Sequence, residues 1–349
     1  MKGTPRSFGR LWPNSSQHGR HGIYTVPPVL HAFSEETDAN SHLLGIYTKQ
    51  VAINDPIARA RSKIDLPRLA QYFIDHADQV FTLSDLEFLL AENSDQWNLP
   101  PSMTPKAFLR MLLKKTKLRE LRLHSPHYSS LLRYTAQGNV SPISVALSIM
   151  KNDAYFSHAS AMWIHGLGKD HRNVFVNKEQ SQKDTSSTPL SQEAIHRAFR
   201  NKQRRSKLFY KYEENTITVL SGKHTGRNGV VSATAPSGHK VDVTSIERTL
   251  IDITVRPGYA GDVHAVLEAF RLAKDRISVS KLTALLRRLD YTYPYHQSIG
   301  FYLKRAGYPE SDQLLAKREP IEFDFYLSHN LKAPDFDPEW RVFFPRSSK

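Results

Sequence analysis

The chain has 349 residues, 40% of them hydrophobic and 10% aromatic, which suffices for ordinary buried cores in about two domains and excludes a chain disordered throughout. Its 48 Lys and Arg against 34 Asp and Glu leave a formal charge of +14, so the first expected partner is a polyanion, with nucleic acid ahead of a membrane surface. Cysteine is absent, which excludes disulfides, thiolate zinc sites and a cysteine nucleophile. No apolar run reaches the roughly 18 residues that span a membrane, so we expect a cytoplasmic protein.

The first 60 residues have the composition of a basic tail. Acidic residues are absent before Glu35, while Lys and Arg are scattered among Gly, Ser, Pro and His. Such a segment cannot bury enough apolar surface to order itself. A disordered basic arm, a start codon placed too far upstream and a transit peptide are the interpretations considered. The first two are favoured because no sustained amphipathic helix accompanies the charges.

Residues 61–138 are predicted to form a small domain of three helices and a β-hairpin. The second helix begins with a capping box formed by Ser84 and Glu87, and the third begins at Ser102 or Thr104 with a proline just inside it. Two short alternating runs that flank a turn then predict the hairpin. This order of elements is typical of a winged helix-turn-helix.

The third helix carries the strongest local signal for binding to nucleic acid. Lys106, Arg110 and Lys114 recur every four residues and Lys117 follows after three, so we expect all four on one helix face. At 1.5 Å per residue that face extends about 16 Å, and the major groove, about 12 Å wide, admits one helix. Basic helix faces are often merely solvated, but the third position in such a domain favours DNA. The predicted DNA-binding residues are Lys106, Arg110, Lys114, Lys115, Lys117, Arg119, His127 and Arg133.

Residues 139–349 are predicted to form a second domain of mixed helices and strands, which makes the fold class α+β. A second basic cluster lies within it, with no acidic residue between Glu193 and Glu213. Cations at this density repel one another, so DNA, RNA or an acidic protein surface would relieve an electrostatic cost, although a solvated helix end remains an alternative. The cluster comprises Arg197, Arg200, Lys202, Arg204, Arg205, Lys207 and Lys211.

No pattern in the sequence specifies a catalytic residue, a metal or a cofactor, and none is predicted. His158 and His165 lack a third ligand nearby, so we expect them to be packed or hydrogen-bonded. Asp242, Glu247 and Asp252 are the candidates for a metal-dependent nuclease, which needs acids that converge on Mg²⁺. Glu247 instead fits a capping box with Thr244, three residues before it. Asp252 follows Arg248 at the i, i+4 spacing of an ion pair.

Two other features have a functional and a structural interpretation. The loop at residues 221–229 is rich in glycine and cations, but it lacks the spacing of a phosphate-binding P-loop and is interpreted as a turn between strands. The tyrosines between residues 291 and 308 have the aromatic character that stacks on nucleobases. Core packing with tethered hydroxyls is the favoured interpretation.

Five runs in a fixed order carry a resemblance to a known family. They lie at residues 81–87, 155–167, 244–252, 256–261 and 293–302. Together they resemble the AbiEi family, the antitoxin half of type IV (abortive-infection) toxin–antitoxin systems, over about residues 65–330. Each run alone is modestly specific, whereas five in the same order are strong.

The resemblance implies an N-terminal winged helix that binds inverted repeats in operator DNA and represses its own operon. It also implies a C-terminal antitoxin domain, of mixed α/β structure, that antagonises a nucleotidyltransferase toxin without catalysis. The operator-reading helix of the family corresponds to residues 104–117 here. The chain is therefore predicted to be a phage-defence antitoxin and transcriptional regulator, a monomer or weak dimer. A metal-dependent nuclease and a basic protein-binding adaptor stay open as alternatives.

Overall fold

Three helices and a two-stranded hairpin begin the described part of the chain. The computed structural model describes residues 63–150, 153–170, 172–182 and 189–346, so the predicted basic arm of residues 1–60 lies outside it. All the described residues belong to one compact unit, residues 54–349. Helices and strands both contribute to this unit, which confirms the α+β class. None of the helices in these ranges is long and apolar enough to cross a membrane.

Local capping explains where the first helices begin. They are α1 (Leu66–Asp75), α2 (Leu83–Asn93) and α3 (Pro105–Lys115). The predicted capping box of α2 is wrong by two residues. The Thr82 side chain accepts from the Asp85 backbone N–H, and the Asp85 carboxylate accepts from the Thr82 backbone N–H. Because this pair already satisfies the first orphan donors, Ser84 lies inside the first turn and caps nothing.

The hairpin closes this part of the structure and shares its core. Strands β1 (Arg119–Leu123) and β2 (Leu131–Thr135) pair antiparallel. Tyr134, from β2, joins the aromatic and aliphatic side chains that α1, α2 and α3 bury between them. Burying each of these side chains contributes about 1.5–3 kcal/mol, so the three helices and the hairpin are held by one apolar cluster.

A six-stranded mixed sheet follows. Its strands are β3 (Tyr155–Phe156), β4 (Asn173–Glu179), β5 (Phe209–Tyr212), β6 (Asn215–Gly222), β7 (Val230–Thr234) and β8 (Lys240–Thr244). They lie in the order β5-β6-β4-β3-β8-β7. The β4–β6 and β3–β8 pairs are parallel and the other neighbours are antiparallel, so β7 and β8 form a hairpin. Helix α4 (Pro142–Leu147) precedes the sheet, α5 (His158–Ile164) connects β3 to β4, and α6 (Gln192–Arg200) lies between β4 and β5.

The rest of the chain is mainly helical. It comprises α7 (Ile246–Val255), a 3₁₀ turn (Pro257–Tyr259), α8 (Val263–Ala273), α9 (Val279–Leu289), α10 (Tyr295–Arg305) and α11 (Glu310–Ala316), then β9 (Phe325–Tyr326), β10 (Asp335–Asp337) and β11 (Val342–Phe344). The largest apolar cluster packs these helices around Leu250, Phe270 and Trp340. The predicted cap of α7 is wrong by one residue, because Thr244 ends β8 and Ser245 accepts from the Arg248 backbone N–H.

The hairpin is joined to the edge of the large sheet. Just beyond β1, His124 exchanges both backbone hydrogen bonds with Lys211 of β5, at 3.1 and 2.7 Å. Strand β5 is the edge strand of the sheet, so this bridge covers part of an edge whose backbone groups would otherwise lack partners. The hairpin therefore contacts the six-stranded sheet at one end and the core of α1, α2 and α3 at the other.

Candidate nucleic-acid interface

Helix α3 has an apolar face and a cationic face. Thr104 caps its first turn, and Pro105 occupies the first helical position, where no backbone donor is needed. Phe108 and Leu112 are buried one turn apart and fix the helix on its core. The residues offset from them by about half a turn are therefore directed outward, and these are the basic residues of the helix.

Three exposed cations form a row on the outer face of α3. Lys106, Arg110 and Lys114 are all exposed, and within the described chain none of their side chains makes an ion pair or a hydrogen bond. Eight residues at 1.5 Å rise place the ends of the row about 12 Å apart. Lys115, also exposed, adds a fourth charge in the last turn. An unneutralised row of this length attracts a polyanion.

Lys117 and Arg119 lie just beyond the end of the helix. The helix ends at Lys115, and Thr116 takes an extended backbone conformation while its hydroxyl donates to the Leu112 carbonyl at 2.7 Å. Lys117 is exposed but lines a shallow cavity shared with Asp75 and Asp78, so it does not extend the helix face as predicted. Arg119 starts β1, and its guanidinium donates to the Gly138 carbonyl.

The hairpin does not present the cation expected of it. Arg133 is half-buried, and its Nε and Nη2 donate to the backbone carbonyl of Ser148, at 3.2 and 3.0 Å. This arginine ties β2 to the end of α4, an interaction between segments that the sequence pattern does not reveal. His127 is exposed, but its ring lies edge-on against Phe209 of β5, with centroids 5.9 Å apart. Of the two predicted hairpin contacts, only His127 remains at an exposed position.

The tip of the hairpin is anchored rather than free. Ser125 is buried, and the neighbouring His124 is the residue that pairs with β5. A wing that inserts into a groove needs an accessible tip, and residues 126–130, which follow this anchor, are exposed. The bridge also brings Lys211, at the end of the second basic cluster, beside the hairpin.

The second basic cluster is exposed along its whole length. It starts in the last turns of α6 and runs through the connection to β5. In the described residues no acidic side chain pairs with any of its cations. Two of its members, Arg204 and Arg205, also line a cleft between the six-stranded sheet and the helices that follow it. Its members are Arg197, Arg200, Lys202, Arg204, Arg205, Lys207 and Lys211.

The acids considered for a nuclease bind different partners. Asp242 accepts from Arg227, and Asp252 accepts from Arg248 Nε at 2.8 Å, as the i, i+4 spacing predicted. Glu247 accepts from the Ser245 hydroxyl. No set of three His, Cys, Asp or Glu side chains in the described ranges is arranged to hold a metal ion. The convergence of acids that the nuclease alternative requires is thus not present there.

The histidines of α5 are packed and hydrogen-bonded, which confirms the interpretation from sequence. His165 Nε2 lies 2.6 Å from the Thr244 carbonyl oxygen. His158 Nδ1 lies 2.9 Å from the Ser157 hydroxyl, and its ring is buried against Tyr259. Burial lowers the pKa of His158 to about 4, so the ring is neutral at pH 7.

Sequence reasoning missed one site-like feature, the cleft that Arg204 and Arg205 line. Its walls come from six separated segments, which include β4, the loop after β6, α7 and the tyrosines that follow α9. Several of the five family-like runs contribute to it. That clustering is the signal in the sequence that would have located it, but only with knowledge of which segments meet in space.

No protein-family model matches the chain, and no curated protein matches it. Among solved structures, the crystal structure of the RV2827C protein from Mycobacterium tuberculosis is similar, with a TM-score of 0.48 and 14% sequence identity. The match covers 79% of this chain and 90% of that chain.

Proposed function

We propose that the chain is a cytoplasmic DNA-binding repressor and the antitoxin of a type IV, abortive-infection toxin–antitoxin system. In this proposal the three helices and the hairpin act as a winged helix-turn-helix on operator DNA with inverted repeats. The segment that follows acts as the antitoxin domain against a nucleotidyltransferase toxin. The protein binds as a monomer or weak dimer, since inverted repeats require two copies of the DNA-binding part.

One observation carries the DNA-binding half of the proposal. Lys106, Arg110 and Lys114 form an exposed row without acidic partners, on a helix whose opposite face is fixed in a core. A helix is about 10–12 Å across with its side chains, so it fits the major groove, which is about 12 Å wide. The buried face holds the helix in place, so the cations can meet phosphates without a rearrangement of the backbone. The antitoxin half rests on the family resemblance of the five sequence runs.

DNA binding is tested with the fragment upstream of the gene. The full chain is titrated against that fragment and against a scrambled fragment of equal length, by fluorescence anisotropy. We expect tighter binding to the upstream fragment, weakened by Lys114→Ala and unchanged by Arg288→Ala, which removes an exposed cation from α9. Equal affinity for both fragments would contradict a role as an operator-specific repressor.

The antitoxin half needs a separate experiment. The product of the neighbouring gene is co-expressed with this chain, and growth and co-purification are measured. Rescue of growth supports antitoxin activity, and co-purification distinguishes direct binding of the toxin from an indirect effect. If the product of the neighbouring gene is not toxic and this chain does not restore growth, the antitoxin half of the proposal is refuted. The DNA-binding half is unaffected by that result.

The adaptor alternative has one observation in its favour. The second basic cluster is exposed and lacks acidic partners in the described chain, as a docking surface for an acidic protein would. Co-purification that is lost when Arg197 and Arg200 become Ala, with unchanged affinity for DNA, would favour the adaptor.

A further inference from the structure

A cationic cleft lies apart from the row of cations on α3. Its volume is about 790 Å³, within the range of roughly 300–1,000 Å³ found for small-molecule sites. Five Lys or Arg side chains line it, against two carboxylates, Asp252 and Asp290. The excess of positive charge in a concave site favours an anionic ligand. The five cations are Arg204, Arg205, Lys223, Arg248 and Arg256.

Arg248 is a buried cation with a donor group left over. Its residue is only 3% exposed, and Asp252 accepts from Nε at 2.8 Å while the Asn228 carbonyl accepts from Nη1 at 2.6 Å. Its Nη2 donates to no group in the described part of the chain. Arg248 lines the cleft, so this amino group can donate to an acceptor bound there. The ion pair with Asp252 holds the guanidinium in a fixed orientation.

His158 also lines the cleft and has a ring nitrogen without a hydrogen-bond partner in the described chain. The residue is 7% exposed, Nδ1 is engaged by Ser157, and Nε2 contacts no hydrogen-bonding group among the described residues. Its backbone has a φ of +52°, a left-handed conformation that costs a residue with a Cβ about 1 kcal/mol. Strain of this kind is retained where the surrounding structure requires the side chain in one place.

Exposed cations and tyrosine hydroxyls complete the cleft. Arg204 and Arg205 are exposed, and neither side chain pairs with an acid within the described ranges. Tyr291, Tyr293 and Tyr295 also line the cleft, and the described chain supplies no hydrogen-bond partner for their hydroxyls. The tyrosine rings pack edge-on against one another, which fixes where those hydroxyls lie.

We propose that this cleft binds a small phosphate-bearing ligand of nucleotide size. The phosphate accepts from Arg204, Arg205 and Nη2 of Arg248, because planar guanidinium groups match phosphate oxygens in pairs. The remaining volume, edged by tyrosine hydroxyls and His158, holds the rest of the ligand. A free phosphate would leave most of the cleft empty, so a ligand with a polar organic part is the occupant. This site is distinct from the surface proposed for DNA.

The cleft is tested by calorimetric titration of the full chain with inorganic phosphate, pyrophosphate, ATP and adenosine. We expect ATP to bind more tightly than phosphate or pyrophosphate, and adenosine to bind weakly, because the cations select the phosphates and the cleft walls add contacts to the organic part. The variant Arg204→Ala with Arg205→Ala is expected to lower the affinity for ATP by about tenfold or more. It changes only exposed side chains, so it avoids the folding risk of a substitution at Arg248.

The matched control replaces Arg197 and Arg200 by Ala. These residues belong to the same basic cluster but do not line the cleft, so we expect the affinity for ATP to change by less than about twofold. An equal loss in both double variants would show attraction by net charge alone and overturn the proposal. So would the lack of binding by any phosphate compound up to about 5 mM. Substitutions on α3 that abolish DNA binding are expected to leave ATP binding intact, which separates a failure of this site from a failure of the proposed function.

Discussion

Replacing Lys106, Arg110 and Lys114 together by Ala should reduce the salt dependence of DNA binding by a defined amount. Each phosphate contact contributes about 0.9 to the slope of log affinity against log salt concentration, so three contacts contribute about 2.7. Between about 50 and 200 mM salt, the parent protein should therefore lose roughly 40-fold more affinity than the variant. The buried face of α3 is unchanged, so the variant should fold.

The assay is fluorescence anisotropy on the upstream DNA fragment at four or more salt concentrations. The control variant replaces Lys274, Lys281 and Arg288, three exposed cations on α8 and α9 or at their ends, and thus lowers the net charge equally. We expect its slope to match that of the parent protein. If the α3 variant keeps the parental slope, or if both variants lose the same amount, α3 is not the surface that meets the phosphates.

Three other predictions concern stability. Gly300→Ala should destabilise the fold by about 2 kcal/mol or more in urea unfolding, although alanine favours helices, because a Cβ there would overlap the buried ring of Trp340; an unchanged midpoint would contradict this packing. Arg133→Ala should cost roughly 1–2 kcal/mol through its lost hydrogen bonds and leave the salt slope of DNA binding unchanged, whereas a slope lowered by about 0.9 would restore it as a DNA contact. Burial opposes the charge of Glu179, but hydrogen bonds from Thr225 and other neighbours lower its pKa below the ordinary 4.5, so Glu179→Gln should be less stable than the parent at pH 7. In thermal melts this difference should vanish as the pH falls through the lowered pKa of Glu179. A difference in stability that persists at that low pH would refute the assignment.

Local patterns predicted much of the DNA-binding candidate. The apolar spacing of Phe108 and Leu112 and the basic spacing of Lys106, Arg110 and Lys114 are both set by the period of the helix, so residue order alone separates the two faces. The start of α3 was predicted for the same reason, since Thr104 and Pro105 act within one turn. The end of α3 was not predicted. Thr116 ends the helix with an extended backbone conformation, and the charge pattern that continues to residue 117 gives no sign of that end.

Contacts between distant segments had no local signal. The pairing of Arg133 with the end of α4 and the backbone bridge between the hairpin and β5 join residues far apart in the chain. The cleft is a stronger example, because its cations and tyrosines come from four segments that are far apart in the sequence.

The order of residues by itself determined the secondary-structure pattern, the α+β class and the cationic face of α3, because capping, helix period and charge act over a few neighbouring positions. Tertiary structure alone decided which cations stay accessible, since Arg133 is half-buried and bonded to Ser148 while Lys106 is exposed. It also decided that Arg248 and His158 are buried beside one cleft, where Nη2 of Arg248 and Nε2 of His158 bond to no group in the described chain. Burial and partnership depend on which surfaces pack together, and that is a property of the folded chain as a whole.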